Sequence, residues 1–213
     1  MGRMARSVFT GDRDRNLLWQ ETAISKQDRA QAKGQKPCCL WMTGLSGAGK
    51  TTVANLLDKT LHLAGAHCFV LDGDRCRTGL CRDLDFSEEG RMENVRRIAE
   101  VAKLMVDAGL IVIVSLISPL MSQRTLARQN FEDGEFFEVF VNTPLSVCEG
   151  RDVKGLYRKA RQGIIPQFTG ISSPYEPPLD PEIELDGRES PEELVEVIKR
   201  KLKCIGALAE RVV

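Results

Sequence analysis

Residues 44–51 carry glycines, a lysine and a threonine at the spacing G-x-x-x-x-G-K-[ST]. They follow an apolar run at 39–43 and precede a segment with helical periodicity, so they occupy a strand-to-helix turn. Backbone N–H groups at such a turn can surround an anion. Glycine lets phosphate approach the backbone, Lys50 can reach the β/γ-phosphates, and Thr51 can place a hydroxyl on Mg²⁺. The motif in this context predicts nucleoside triphosphate binding; a glycine-rich turn without a ligand is the much weaker alternative.

Charged side chains follow the second apolar segment, residues 67–72. Asp72, Asp74 and Arg77 come at its end and directly after it. Ligands of open parallel sheets bind at the carboxyl ends of the strands, so we expect these groups close to the phosphate loop. A carboxylate there can hold Mg²⁺ or accept a proton from an attacking hydroxyl. The alternative is an ordinary Asp-Gly surface turn, but the position after a buried strand favours the functional interpretation.

Two later segments place further candidates at the same edge. The apolar segment 110–117 is followed by Ser118 and Pro119, and Ser118 would point into the crevice, although a serine before a proline is usually a helix cap. Basic residues are then dense at 154–161, after the apolar segment 136–142. At that place they could fold over a nucleotide as a lid that excludes water and stabilises charge on the transferred group.

Apolar runs alternate with amphipathic segments from Pro37 onward, which predicts a parallel β-sheet with helices on both faces. The predicted strands are 39–43, 67–72, 110–117, 136–142 and 182–185. The predicted helices are 50–64, 87–108, 121–129, 146–151, 156–162 and 191–209. The fold class is therefore α/β, a three-layer sandwich of the P-loop NTPase type. We predict an N-terminal arm at 1–36 and a P-loop domain at 37–213 with a lid around 152–176.

Composition narrows the classes of function. The chain has 213 residues, 42% of them hydrophobic, which is enough for one substantial core. Thirty basic and thirty acidic residues cancel, so we expect no nucleic-acid or membrane partner. The longest apolar stretch, 110–120, is too short to cross a bilayer, and the charged N-terminus lacks the features of a secretory signal. Seven scattered cysteines favour free thiols over disulfides or zinc, which suits a cytoplasmic location.

A series of motifs is more specific than the phosphate loop alone. In chain order they are Gly44-Leu-Ser-Gly-Ala-Gly-Lys-Thr-Thr52, Leu71-Asp-Gly-Asp74, Glu93-Asn-Val-Arg-Arg97, Ile117-Ser-Pro119, Asp152-Val-Lys-Gly-Leu-Tyr157 and Phe168-Thr-Gly-Ile171. With them the chain closely resembles the adenylylsulfate kinases, P-loop kinases that transfer the ATP γ-phosphoryl group to the 3′-hydroxyl of adenosine 5′-phosphosulfate (APS). The product, PAPS, is the sulfate donor formed in sulfate assimilation. The resemblance runs from about residue 17 to the C-terminal helix.

The resemblance implies a donor side and an acceptor side. On the donor side it implies Lys50 as a catalytic residue, and Thr51 with Asp72 as the Mg²⁺ site. The residues that would bind ATP are Gly44, Leu45, Ser46, Gly47, Ala48, Gly49, Lys50, Thr51, Thr52 and Arg158. On the acceptor side, Asp74 would be a base or metal-organising group beside the hydroxyl, supported by Asp72. The other implied substrate contacts are Arg77, Arg91 and Asn94 for the phosphosulfate, Phe86 and Phe168 around the adenine, and Ile117, Ser118, Lys154 and Leu156.

Ser118 matches a serine described in the family as a phosphoserine intermediate, and it is a catalytic candidate for that reason. Direct in-line transfer is the simpler chemistry for a P-loop kinase, so a substrate contact is the favoured role.

The sequence departs from the family pattern after Asp74. Arg75 and Cys81 stand where the family commonly has asparagines, Asp85 where it has glycine, and Ser172 where an aspartate is frequent. An Arg75 that pairs with Asp74 would lower the pKa of that carboxyl and weaken it as a base. An Arg75 that points outward would change little.

Two other functions stay open at this point. One is another small-metabolite P-loop kinase, such as a nucleoside or gluconate kinase, although Phe86 and Phe168 favour an aromatic acceptor. The other is a nucleotide-binding regulatory protein with impaired catalysis, which Arg75 and Cys81 motivate. Proteins of the family often form homodimers, so a homodimer is expected, although apolar patterning does not demonstrate it.

Overall fold

Five parallel strands form one sheet in the computed structural model, which describes residues 22–208. The strands are β1 (Cys38–Thr43), β2 (Cys68–Asp72), β3 (Ile111–Ser115), β4 (Phe136–Asn142) and β5 (Ile183–Asp186), in the spatial order β2-β3-β1-β4-β5. The helices are α1 (Lys26–Lys33), α2 (Lys50–Leu63), α3 (Gly73–Arg77), α4 (Glu88–Asp107), α5 (Met121–Arg128), α6 (Leu145–Arg151), α7 (Leu156–Arg161) and α8 (Pro191–Cys204). Residues 1–21 and 209–213, including much of the predicted arm, lie outside the described part.

Helices cover both faces of the sheet because its central strands are apolar on both sides. Every residue of β1 and β3 is buried. Leu40 and Met42 of β1 face the core shared with α2 and α8, whereas Cys39 and Trp41 face the core shared with α4. This period-two alternation produces two hydrophobic layers around one sheet, which confirms the predicted α/β sandwich. No helix within residues 22–208 is long and apolar enough to span a bilayer.

Serine caps fix the starts of two long helices where the sequence predicted them. Ser87 Oγ accepts a hydrogen bond from the Gly90 N–H at the start of α4, and Ser190 Oγ accepts one from the Glu193 N–H at the start of α8. The last helix ends at Cys204 rather than at the predicted residue 209.

The chain after β3 differs from the prediction. The strand ends at Ser115 rather than at 117, and Ser118 has φ of 36°, outside the extended range. The next helix, α5, begins at Met121 as the sequence predicts, with Leu120 as its N-cap. The segment between strand and helix is therefore a sharp turn at the carboxyl edge of the sheet.

The described part of the arm packs at the amino end of the sheet, opposite the phosphate loop. Lys26 of α1 forms an ion pair with Glu135, close to the start of β4. Gln35 is buried, and its side-chain amide donates to the carbonyl oxygens of His67 (2.8 Å) and Gly109 (2.9 Å), which precede β2 and β3. These contacts tie the arm to the edge of the sheet that carries no candidate site residue.

Candidate active site

The phosphate loop connects β1 to α2 and is shaped by glycines. Gly44 has φ of 149°, and a Cβ there would lie 2.7 Å from the carbonyl oxygen of Val141. Gly49, with φ of 105°, is the N-cap of α2. Only glycine adopts these two φ values without strain, and the close approach at Gly44 also excludes a Cβ. The free N–H groups at the start of α2 consequently face the loop, as an anion site requires.

Lys50 is the first residue of α2, and its side chain is buried beneath the loop. Its Nζ donates to the carbonyl oxygens of Gly44 (2.9 Å) and Leu45 (2.7 Å). Burial lowers the pKa of Lys50 to about 8, although nearby Asp72 and Asp74 favour the charged form. An anion in the loop would supply the opposite charge that this ammonium group lacks.

Three oxygen atoms from different elements converge beside the start of α2. Thr51 Oγ1 donates to Asp72 Oδ2 (2.9 Å) and lies 3.2 Å from Ser115 Oγ. The other carboxylate oxygen of Asp72 accepts the N–H groups of Asp74 (3.1 Å) and Arg75 (3.2 Å), which caps the short helix α3 that the sequence had not revealed. Oxygen donors suit Mg²⁺, so Thr51 and Asp72 fit their expected metal role. Ser115 adds a third oxygen that sequence reasoning missed.

Asp74 lies on α3 at the rim of the site and forms an ion pair with Lys154 of the lid segment. Both side chains are exposed. The Arg75 side chain is exposed as well, and no ion pair or hydrogen bond joins it to Asp74 in the described structure. Of the two expectations for Arg75, the structure therefore agrees with the outward one.

The other three departures from the family pattern support local structure. Cys81 is fully buried and packs as a small apolar residue. The Asp85 carboxylate accepts hydrogen bonds from the N–H (3.0 Å) and Oγ (2.6 Å) of Ser87, which orders the turn before α4. Ser172 Oγ accepts the N–H of Phe168 (2.9 Å). Each of these three side chains thus stabilises the fold locally.

Two guanidinium groups lie beside an open aromatic ring. The Arg77 guanidinium sits 4.3 Å from the centre of the Phe86 ring, and Arg91 Nε donates to the Phe86 carbonyl oxygen (2.9 Å). Arg91 also donates to the carbonyl oxygen of Gln167 (2.6 Å) and to Thr169 Oγ1 (3.0 Å). Burial and the nearby Arg77 lower the pKa of Arg91. Two positive groups this close favour the binding of an anion.

The two candidate stacking rings differ in their surroundings. Phe86 is 66% exposed, whereas Phe168 is buried and packs edge-to-face on Tyr157 with ring centroids 5.0 Å apart. Asn94 on α4 is buried too, and its Nδ2 has no hydrogen-bond partner in the described part of the chain. A buried amide donor without a partner costs free energy, so an oxygen atom of a ligand would stabilise it.

The Ser118 side chain, which the sequence predicts as a catalytic and substrate-binding candidate in the crevice, is buried against Trp41 in this structure. The residue is 3% exposed, and Trp41 Nε1 donates to its Oγ (3.1 Å). Its carbonyl oxygen accepts a hydrogen bond from Arg124 Nη1 (2.9 Å). Ser118 has φ of 36°, and its hydroxyl lies against the indole of Trp41. The helix-cap alternative is wrong, because Leu120 holds the N-cap position.

The remaining predicted residues lie around the crevice and in the lid. Ile117 is half-buried, and its carbonyl oxygen accepts a hydrogen bond from Thr43 Oγ1 (2.7 Å). Leu156 packs against the main core at the start of α7. Arg158 has an exposed side chain, and its N–H donates to Asp152 Oδ2 (3.1 Å). The Asp152 carboxylate thus holds the first turn of α7, and the Arg158 side chain is open to solvent.

Sequence reasoning missed the role of three residues whose side chains contact carbonyl oxygens of the phosphate loop. Thr143 Oγ1 donates to the Ala48 carbonyl oxygen (2.9 Å), and Tyr157 OH donates to the Ser46 carbonyl oxygen (2.8 Å). Arg151 Nη1 lies 3.4 Å from the same Ala48 oxygen. Tyr157 was visible only as part of the Lys-Gly-Leu-Tyr motif, and nothing in the local pattern marks Thr143 or Arg151.

Comparison with known proteins gives one family. A family model described as adenylylsulphate kinase matches residues 36–186. The adenylyl-sulfate kinase of Vibrio parahaemolyticus is 57% identical over 192 residues, which covers 90% of this chain and 94% of that protein.

Solved structures agree with the sequence match. The structure of the Mycobacterium tuberculosis APS kinase in complex with AMPPNP and APS has a TM-score of 0.77 at 47% identity, and the match covers 79% of this chain and 99% of that one. A hexameric APS kinase from Thiobacillus denitrificans has a TM-score of 0.64 at 30% identity, over 85% of this chain and 31% of that one. The fold, the site motifs and these matches agree, and the chain belongs to the adenylylsulphate kinase family.

Proposed function

We propose that this chain transfers the γ-phosphoryl group of ATP to the 3′-hydroxyl of APS, giving PAPS and ADP. The proposal depends on one observation above all: besides the phosphate loop, the chain brings two arginines, Arg77 and Arg91, together at the exposed Phe86. A phosphate loop alone suits any P-loop kinase. A second anion site next to an aromatic surface suits a nucleotide as acceptor, because a purine base stacks on such a ring.

The donor nucleotide would lie along residues 44–52. Their N–H groups would hold its phosphates, and Lys50 would exchange its two carbonyl contacts for the β/γ-phosphate oxygens. Thr51 and Asp72 would hold Mg²⁺, whose charge offsets that of the phosphate oxygens. Arg158 would approach the nucleotide from the lid.

The acceptor nucleotide would lie between α4 and the lid. Arg77 and Arg91 would bind its phosphosulfate, and the unpaired Asn94 amide would donate to one of its oxygens. Its adenine would enter between Phe86, which is open, and Phe168, which the lid holds in place. Lys154, Leu156 and Ile117 would complete the walls of this pocket.

Asp74 would accept the proton of the 3′-hydroxyl as that oxygen attacks the γ-phosphorus. The exposed Asp74 donates its N–H to Asp72 and pairs with Lys154, which supports a position between the donor and acceptor sides. The Ser118 hydroxyl is buried against Trp41, which argues for direct in-line transfer and against a phosphoserine intermediate.

An assay of ADP release tests the proposal. With Mg²⁺-ATP the protein is expected to release ADP when APS is added, and not with gluconate or a nucleoside. Asp74→Asn keeps the size of the side chain and removes its charge, so kcat should fall about a hundredfold, the usual contribution of a positioned base. Asp83→Asn is the matched control, because Asp83 is an exposed carboxylate paired with Arg97. No ADP with APS would overturn the function; wild-type kcat in Asp74→Asn would overturn the role of Asp74.

A cytoplasmic homodimer completes the proposal. All seven cysteines are free thiols, which suits a reducing compartment. The homodimer is supported by the family resemblance alone. Light scattering in solution tests it, and the mass of a monomer would contradict it.

A further inference from the structure

Two hydroxyl groups hold carbonyl oxygens of the phosphate loop, and they come from different parts of the molecule. Thr143 follows β4 in the body of the sheet and donates to the Ala48 carbonyl oxygen (2.9 Å). Tyr157 belongs to the lid helix α7 and donates to the Ser46 carbonyl oxygen (2.8 Å). Thr143 belongs to the body of the sheet, so its contact does not depend on the lid. The Tyr157 contact requires α7 to lie against the phosphate loop.

The Tyr157 contact fixes the orientation of one peptide group in the loop. In a trans peptide the C=O and the following N–H point in opposite directions. A hydroxyl on the Ser46 oxygen therefore directs the Gly47 N–H away from Tyr157. Among residues 22–208 this N–H has no protein acceptor. Burial raises the pKa of the Tyr157 phenol, so its hydroxyl stays a donor.

The same tyrosine contacts the acceptor side. Its ring is 2% exposed and packs edge-to-face on Phe168 at 5.0 Å. Its N–H donates to Asp152 Oδ1 (3.0 Å), which fixes the start of α7. Lys154, three residues earlier in the chain, pairs with Asp74. Tyr157 thus touches the donor loop through its hydroxyl and the acceptor wall through its ring.

We propose that Tyr157 is a positioning residue that couples acceptor binding to the shape of the donor loop. An acceptor held by Phe168 and Lys154 keeps α7 in the observed position. The Tyr157 hydroxyl then stays on Ser46, and the Gly47 N–H stays aimed at the donor phosphates. This inference rests on the proposed function, because APS is the ligand that holds the lid.

Calorimetric titration with ADP, with and without saturating APS, tests the coupling. In the wild-type protein APS is expected to tighten ADP binding. Tyr157→Phe keeps the ring and removes the hydroxyl, so the tightening should shrink by about two- to tenfold, the value of one hydrogen bond between neutral groups. ADP affinity without APS should change less, because no acceptor then holds Phe168 and Lys154 in place.

The second tyrosine supplies a matched control. Tyr175→Phe also removes a hydroxyl, which lies 3.0 Å from Thr43 Oγ1, and it should retain the wild-type coupling. Wild-type coupling in Tyr157→Phe would overturn the proposal. So would a wild-type protein that binds both ligands without coupling, whereas a wild-type protein that does not bind APS would overturn the proposed function itself.

Should Tyr157→Phe fail to fold, Phe168→Leu tests the other end of the same connection. This variant leaves the hydroxyl on Ser46 and removes the ring through which the acceptor side contacts Tyr157. The tightening of ADP by APS is expected to shrink in it, and unchanged tightening would overturn the proposal.

Discussion

The ammonium group of Lys50 is buried, so water solvates it poorly. Burial lowers its pKa to about 8, whereas the ordinary pKa of a lysine in an unfolded chain is 10.5. Between these two values the unfolded chain binds more protons, so the free energy of unfolding rises with pH across this window. Below pH 8 the folded protein must keep a buried ammonium group, which lowers its stability. The ligand-free site is thus less stable in the charged state that phosphate binding requires.

Opposite pH dependences of binding and stability are therefore expected. ADP affinity should fall as pH rises through about 8, because Lys50 loses the charge that pairs with phosphate. The free energy of unfolding of the ligand-free protein should increase over the same pH range. Calorimetry and urea unfolding between about pH 7 and about pH 10 would measure both.

The Lys50→Met variant is the control for this pH experiment. It has a similar length and no charge, so ADP should bind weakly at every pH, and the Lys50 contribution to the rise in stability should vanish. Equal pH profiles in the variant and the wild-type protein would contradict the role assigned to this lysine.

The two aromatic walls belong to elements that hold them differently. Phe86 lies on the turn before α4, which Asp85 and Ser87 order through hydrogen bonds, and its ring is largely in solvent. Phe168 lies in the lid segment, buried against Tyr157 and the main core. In the proposed complex, Phe86 would contribute mainly through the ligand, whereas Phe168 would contribute through packing as well.

Alanine at each ring should separate these contributions. Phe86→Ala should raise the KM for APS about tenfold through lost base stacking, with an unfolding free energy within about 1 kcal/mol of wild type. Phe168→Ala should lose about 3 kcal/mol of stability because it leaves a cavity in the core. Steady-state kinetics and urea unfolding measure the two effects. A large stability loss in Phe86→Ala would contradict the open position of that ring.

For the molecule as a whole, the features that depend on local sequence patterns could be predicted from the sequence. The order of apolar and amphipathic segments was sufficient for the sandwich, and the phosphate-loop motif located the donor side. The orientation of Ser118 was not predictable, because it depends on a positive φ and on Trp41, 77 positions away in the sequence. The contact between Tyr157 and Ser46 likewise forms only when the lid and the loop meet in the folded chain.

We expect the amino end of the sheet to contribute to stability and the carboxyl end to ligand binding. A variant of Gln35 tests this division. Gln35 lies at the amino end, where its amide donates to the carbonyl oxygens of His67 and Gly109 and accepts the His67 N–H (2.8 Å). Gln35→Ala leaves these buried groups unpaired, so the unfolding free energy should fall by about 1–3 kcal/mol.

ADP affinity and its tightening by APS should stay at wild-type values in folded Gln35→Ala protein, since the carboxyl end of the sheet is untouched. Gln31→Ala is the control, because Gln31 is exposed on α1 and its loss should change neither quantity. Urea unfolding and calorimetry on the same samples decide the matter. Weakened ADP binding in the folded Gln35→Ala protein would show that the arm affects the site at the opposite end of the strands. The expected separation of stability and binding would then be wrong.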